Sequence, residues 1–179
     1  QIENITKTLE FSSNNNNIKK MGTNSNILLD NQVITNEEIT ELSKKIDLKL
    51  SQFEKNEIFL LACKNPLELL VTFIRAIKSE LVPIMISENT PPDQLKSMAK
   101  NISGCGFYFN NEVIKGHHIS SLKNVYGCMT SGTTSSPNIY YFDITSAKKL
   151  ATIHSKSLGI TKDSLLLQCL PLNHSFVAI

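Results

Sequence analysis

The alternation of strand-like and helical segments along this chain predicts an α/β fold, a mostly parallel sheet with helices on both faces. Three observations carry the expectation. The short runs EIFLLAC (57–63), LVPIMIS (81–87) and GFYF (106–109) are almost continuously apolar, as strands covered on both faces must be. Between them lie longer stretches whose apolar residues recur at helical spacing. Several of these stretches open on capping residues, which mark where a helix starts after a strand.

Taken in order, residues 12 to 26, SSNNNNIKKMGTNSN, are polar and aperiodic, too poor in apolar surface to offset the entropy of ordering them. A mobile, asparagine-rich stretch is expected there, within an N-terminal segment of residues 1–27. In ILLDNQVIT, Asp30 and Asn31 join two short apolar runs and tolerate the left-handed backbone of a tight turn, so a hairpin is predicted. Thr35 and Glu38 form a capping box, followed by Ile39, Leu42, Ile46 and Leu50 on one helix face. EIFLLAC is the next strand. Asn65, Pro66 and Glu68 are then cap, first-turn proline and cap partner of a second helix, whose buried side is Leu69, Leu70, Phe73, Ile74 and Ile77.

LVPIMIS is read as a strand. After it Thr90 caps a third helix with Leu95, Met98, Ala99 and Ile102 inward. GFYF is a strand followed by a polar loop. NVYGCMT and NIYYFDI are two further strands, and Thr145 begins a helix with Ala147, Leu150, Ala151, His154 and Leu158 on one face, closed by Gly159. SLLLQCL is the last strand.

At 179 residues and 20.0 kDa, one domain with a real core is the default. A net charge of +2 is too small to name nucleic acid or an acidic membrane as partner. Arg75 is the only arginine, so no bidentate arginine cluster grips phosphate here. Cys63, Cys105, Cys128 and Cys169 are far apart and without a CxxC pair, which fits core thiols in a reducing, cytoplasmic compartment and no metal site. No apolar run reaches the roughly 18 residues of a membrane span. The chain starts at Gln1 and stops at Ile179 directly after an apolar run, which suggests a piece of something longer.

The chemistry concentrates in one turn. TSGTTS, residues 130 to 135, is made of glycine and hydroxyl residues alone, and small residues of this kind let backbone N–H and hydroxyl donors converge on an anion. A Walker loop is excluded, because counting from Gly132 it needs glycine at Pro137 and lysine at Asn138. A nucleophile elbow around Ser131 needs glycine at Met129 and Thr133. The residues alone leave an ordinary hairpin loop as an equal reading.

MTSGTTSSPN (129–138) resembles the phosphate-binding signature of the adenylate-forming (AMP-binding) enzymes, acyl-CoA synthetases among them, whose usual form is YTSGTTGxPKG. Thr130 to Thr134 match it and Pro137 falls in register. Downstream, LPLNH, with Leu170, Pro171, Leu172 and His174, is similar to the family's LPLFH motif. Upstream, VITNEEITELSKKI resembles the helix around TYAEL. The resemblance spans about residues 28 to 179, read as an incomplete N-terminal (AMP-binding) domain.

The resemblance implies the N-terminal subdomain of the adenylate-forming fold and a ligase that uses ATP and Mg2+ to convert a carboxylic acid into an acyl-adenylate. A thiol, coenzyme A or the pantetheine of a carrier protein, then takes the acyl group. Thr130, Ser131, Gly132, Thr133 and Thr134 are implied to hold the β- and γ-phosphates, and His174 to lie beside the carboxylate. No metal ligand is implied in this part, and the fragment alone is expected to be inactive. Ser135 and Asn138 stand where the family carries glycine and lysine. A left-handed serine costs roughly 1–2 kcal/mol, and loss of the lysine removes a charge that follows the triphosphate. Weaker nucleotide affinity follows, and with it the alternative of an inactive relative that binds a nucleotide, an acyl ligand or a protein. His117, His118 and His154, the pair Glu37 and Glu38, and the lysines of SAKKL are read as loop, surface, helix-start and solvated positions.

Overall fold

The computed structural model of the chain describes residues 27–29, 32–129, 138–161 and 164. The hairpin forms as expected: β1 (Ile27–Leu29) pairs antiparallel with β2 (Gln32–Ile34), from Ile27 opposite Ile34 to Leu29 opposite Gln32. Asp30 and Asn31, the expected turn, lie outside the described residues. Helix α1 (Asn36–Leu50) starts on a complete capping box: Thr35 Oγ1 accepts from Glu38 N at 3.1 Å, and Glu38 Oε2 accepts from Thr35 N at 2.8 Å. Ile46 and Leu50 are buried, with Ile39 and Leu42 packed against the same cluster.

The main sheet has six strands in the order β6-β5-β3-β4-β7-β8. Its centre is parallel: β3 (Ile58–Ala62) lies between β4 (Val82–Met85) and β5 (Gly106–Phe109), and β4 also pairs parallel with β7 (Val125–Met129). Both edges, β6 (Glu112–Ile114) and β8 (Ile139–Asp143), are antiparallel. All residues of β3 and β4 are buried, as their unbroken apolar character requires.

From β3 the chain steps to β4 through α2 (Pro66–Lys78), then back across β3 to β5 through α3 (Pro92–Asn101). Right-handed crossovers in opposite directions place their helices on opposite faces. The core divides accordingly. Phe59, Leu61 and Tyr108 pack with α1 and α2, while Ile58, Leu60 and Ile84 pack with Leu95 and Ala99 of α3. Residues two apart share a face, as pleating dictates. Helix α4 (Ile144–Ser157) lies on the α2 side, where Tyr126 is bounded by Phe73 edge-on and Phe142 stacked, each at 5.3 Å.

Several local expectations are corrected. The polar loop after GFYF contains β6, reached through Asn110 and Asn111 at φ 43° and 72°, the left-handed pair of a tight hairpin. Glu68 is not a cap partner: Asn65 Oδ1 alone accepts from Leu67 N and Glu68 N, and the Glu68 carboxylate accepts from Tyr108 instead. Thr90 does not cap α3; Pro91 occupies that position with no side-chain bond. Helix α4 starts at Ile144 rather than Thr145, and Asp143 caps it by accepting from Ser146 N at 2.7 Å.

The buried side of α2 includes Val71, Thr72 and Ala76, whereas Ile74 is 42% exposed. The helix sits between α1 and the sheet, so its apolar surface exceeds one stripe. On α4 only Ile144 is fully buried, and Leu150, His154 and Leu158, expected inward, are exposed. The helix end itself behaves as expected. Gly159 at φ 64° closes it, with Ile160 N donating to Ser155 O and Gly159 N to Lys156 O.

Candidate functional site

Strand β7 carries the chain to the carboxyl edge of the parallel strands, where open α/β sheets bind ligands. Its register is held on both sides: Gly127 and Cys128 pair with Ile84 and Met85 of β4, and β8 returns antiparallel from Ile139 opposite Met129 to Asp143 opposite Val125. Among the described residues Met129 and Ile139 are the last paired. Thr130, Ser131, Gly132, Thr133 and Thr134 all belong to the stretch from 130 to 137 between these partners, outside the described residues, as does His174. Asn138 precedes β8 and is exposed.

The footing of this hairpin is apolar and tightly packed. Met129 and Ile139 lie half-buried against the cluster of Ile84, Ile86 and Leu95. Gly127 is required there. A Cβ on it meets Ile84 Cγ1 at 2.9 Å and Ile139 Cγ2 at 3.2 Å, so the absence of a side chain lets both isoleucines close over β7. Sequence reasoning did not single out Gly127, although a lone glycine inside a strand signals such a close approach.

The same edge carries a polar network at the ends of β3 and β5. Lys64 N donates to Asn110 Oδ1 at 2.9 Å, Asn110 N to Ala62 O at 3.2 Å, and Lys49 Nζ to the carbonyl and side-chain oxygens of Asn111. Tyr108 Oη donates to Glu68 Oε1 at 2.9 Å. Burial first, and then the neighbouring Glu68 carboxylate, push the Tyr108 phenol up from its ordinary value.

The thiols are inert by the same physics. Burial pushes Cys105 up to about 12 and Cys128 up to about 11, and raises Cys63, next to which the Glu68 charge acts in the same direction. All three are buried, as expected of core cysteines, and protonated at neutral pH, so none is a nucleophile. The remaining candidates weighed from the sequence lie away from this edge or in structural roles. His117 N and the His118 carbonyl bond Gly104 and Ile58 along a strap beside the amino ends of β3 and β5, His154 is exposed on α4, and Glu38 is the capping residue already described. Among the described residues no group of three or more His, Cys, Asp and Glu side chains is placed to hold a metal ion, and no helix is long and apolar enough to cross a membrane.

No family model matches the sequence, and no curated protein does. Solved structures do match the fold. The o-succinylbenzoate coenzyme A synthetase of Bacillus subtilis in complex with its acyl-adenylate intermediate aligns at a TM-score of 0.66 and 16% identity, over 90% of this chain and 39% of that one. The same enzyme in complex with ATP and magnesium ion aligns at 0.65 and 15% identity, over 90% and 40%. A long-chain-fatty-acid-CoA ligase from Archaeoglobus fulgidus aligns at 0.61 and 16% identity, over 82% and 37%. The chain therefore has the fold of the N-terminal part of adenylate-forming enzymes, and spans about two fifths of the length of these three chains.

Proposed function

We propose that this chain is the N-terminal portion, residues 28–179, of an ATP-dependent ligase that activates a carboxylic acid as an acyl-adenylate for transfer to a thiol. One observation carries the reading. The only stretch matching the adenylate-forming phosphate signature begins immediately after Met129, at the carboxyl edge of a parallel strand, in a chain whose fold aligns with coenzyme A synthetases.

In this reading Thr130, Ser131, Gly132, Thr133 and Thr134 bind the β- and γ-phosphates of ATP through N–H and hydroxyl donors, which stabilises charge on the departing pyrophosphate. ATP supplies the electrophilic α-phosphorus that the substrate carboxylate attacks. His174 lies beside that carboxylate. The inert thiols support an acceptor thiol brought by coenzyme A or a carrier-protein pantetheine rather than one of Cys63, Cys105 and Cys128. The described residues assign no ligand to magnesium. Adenine, ribose and magnesium contacts belong to parts of a longer chain, so the 179 residues alone do not complete the reaction. Cytoplasmic location belongs to the same reading.

Asn138 and Ser135 favour a second reading, a relative with weakened or absent catalysis that keeps a binding role. Titration of the chain with Mg·ATP and with tripolyphosphate tests the first. We expect weak, saturable binding of both that Thr133→Val and Thr134→Val abolish and Asn138→Lys strengthens severalfold. Absence of polyphosphate binding in the parent chain and in Asn138→Lys alike sinks it. Pyrophosphate exchange by a full-length protein carrying Ser135→Gly and Asn138→Lys then separates the two readings, a gain in rate favouring the weakened enzyme.

A further inference from the structure

Helix α4 presents an outward face that the described residues leave uncovered. Its inward side is Ile144, Ala147 and Ala151, spaced three and four apart against Tyr126 and the α2 side chains Phe73 and Ile77. On other sides of the helix Leu150 is 37% exposed and Ile153 59%, three residues apart and so on one face, and Leu158 at the helix end is 74% exposed. Lys149 and Lys156 are exposed on the same side as Leu150 and Ile153, whereas Lys148 lines the groove against α2.

The charge there is one-signed. From Ile144 to Lys162 the sequence has four lysines, one histidine and no acid. The three lysines of α4 contribute +3 against a whole-chain net of +2, which leaves the rest of the chain at −1. The small net charge of the chain thus hides a local cationic face. Among the described residues none of these three lysines forms a salt bridge; Lys149 acts on the Asp143 carboxylate only at longer range.

We propose that the outward face of α4 docks on an anionic lipid surface, its aliphatic side chains entering the interface and its lysines meeting the headgroups. Protruding aliphatics flanked by lysines on a helix without acids are what in-plane interfacial binding selects. A deep apolar concavity is what a partner helix selects, and the groove of about 300 Å³ between α2 and α4 lies on the inner side of α4. The attraction is electrostatic in origin, about fivefold in partition for each lysine near the surface, and is screened by salt. It is independent of the proposed ligase chemistry.

Cosedimentation of the 179-residue chain with vesicles of phosphatidylcholine alone, and with roughly 30% phosphatidylserine added, tests it. We expect at least about tenfold stronger partition onto the anionic vesicles, lost in about 0.5 M salt. Lys149→Glu/Lys156→Glu and Leu150→Ser/Ile153→Ser should each reduce it about tenfold, with unchanged circular dichroism and an unchanged response to tripolyphosphate. Equal partition onto both vesicles, or double variants without effect, overturns the proposal. So does concentration-dependent self-association, without lipid binding, that Leu150→Ser/Ile153→Ser suppresses, since that assigns the face to a protein contact.

Discussion

Tyr108 Oη lies 2.9 Å from Glu68 Oε1, and through this bond the end of β5 is tied to the first turn of α2. The tyrosine is wholly buried in the core shared by α1 and α2, while its hydroxyl reaches a carboxylate at the carboxyl edge of the sheet. Tyr108→Phe keeps the ring and removes the donor. Hydrogen bonds to charged groups contribute about 1.5–3 kcal/mol, and the half-buried Glu68 places the cost near the lower end, about 1.5–2 kcal/mol. A urea denaturation should show a lower midpoint with an unchanged slope. Tyr140→Phe, at a 54% exposed tyrosine, should stay within about 0.5 kcal/mol of the parent.

Gly127 supports a sharper prediction, because its missing side chain is what allows Ile84 and Ile139 to meet over β7. Gly127→Ala forces a methyl group into a gap already at 2.9 Å from Ile84 Cγ1. Overpacking of this kind costs about 1–3 kcal/mol. Ile84→Ala in the same chain removes Cγ1 and Cγ2, the atoms that the new methyl meets, and should recover part of the loss, so a double-mutant cycle reads a favourable coupling. Strictly additive losses would mean that the two residues do not press on each other.

What the sequence disclosed, and what it hid, divides along local and tertiary lines. The capping box of Thr35 and Glu38, the Asn65 cap with Pro66 and the Gly159 stop are interactions between near neighbours in the chain, and they form as read. The continuously apolar β3 and β4 betray burial on two faces for the same reason. By contrast, Ile74 and Leu150 carry the same apolar signal as Leu69, and only the placement of α1 and the sheet decides which of them is covered. Strand β6 was missed because EVI is short and exposed at two of its three positions; the adjoining Asn110 and Asn111, both left-handed, were the available sign. The hydroxyl-rich turn was legible as a motif. The two strands that frame it were legible as well; the pairing of β7 with β4, a contact between segments far apart in the chain, was not.

The buried thiols make the fold sensitive to alkali. In the unfolded chain they ionise around the ordinary value of 9.0, whereas burial holds Cys105 up to about 12 and Cys128 up to about 11 in the folded state. The stabilising contribution is complete below pH 9 and disappears as pH rises through the folded values, because the unfolded state then binds fewer protons. Melting temperature should therefore fall progressively above about pH 9. A Cys128→Ala chain should show a shallower decline. In native buffer at pH 8 these three cysteines should resist a thiol reagent that labels them in denaturant.

Asp143 governs the acid side in the opposite sense. Its carboxylate accepts from Ser146 N at the start of α4, and that bond, ahead of the contributions of Asn124 and Lys149, holds its pKa below the ordinary 3.8. A group depressed in the folded state stabilises above its unfolded value and stops doing so as pH falls through its folded value. Asp143→Asn should then lower the melting temperature at pH 7, where the parent has both the capping acceptor and a negative charge at the positive end of the helix dipole. The gap between the two chains should narrow below about pH 4 and close once Asp143 is protonated. Salt should shrink the gap at pH 7 as well, because the side chain is exposed and its charge is screened. A gap that stays constant from pH 7 to pH 2 would mean that the amide caps as an uncharged acceptor does, and that charge at this helix start contributes nothing.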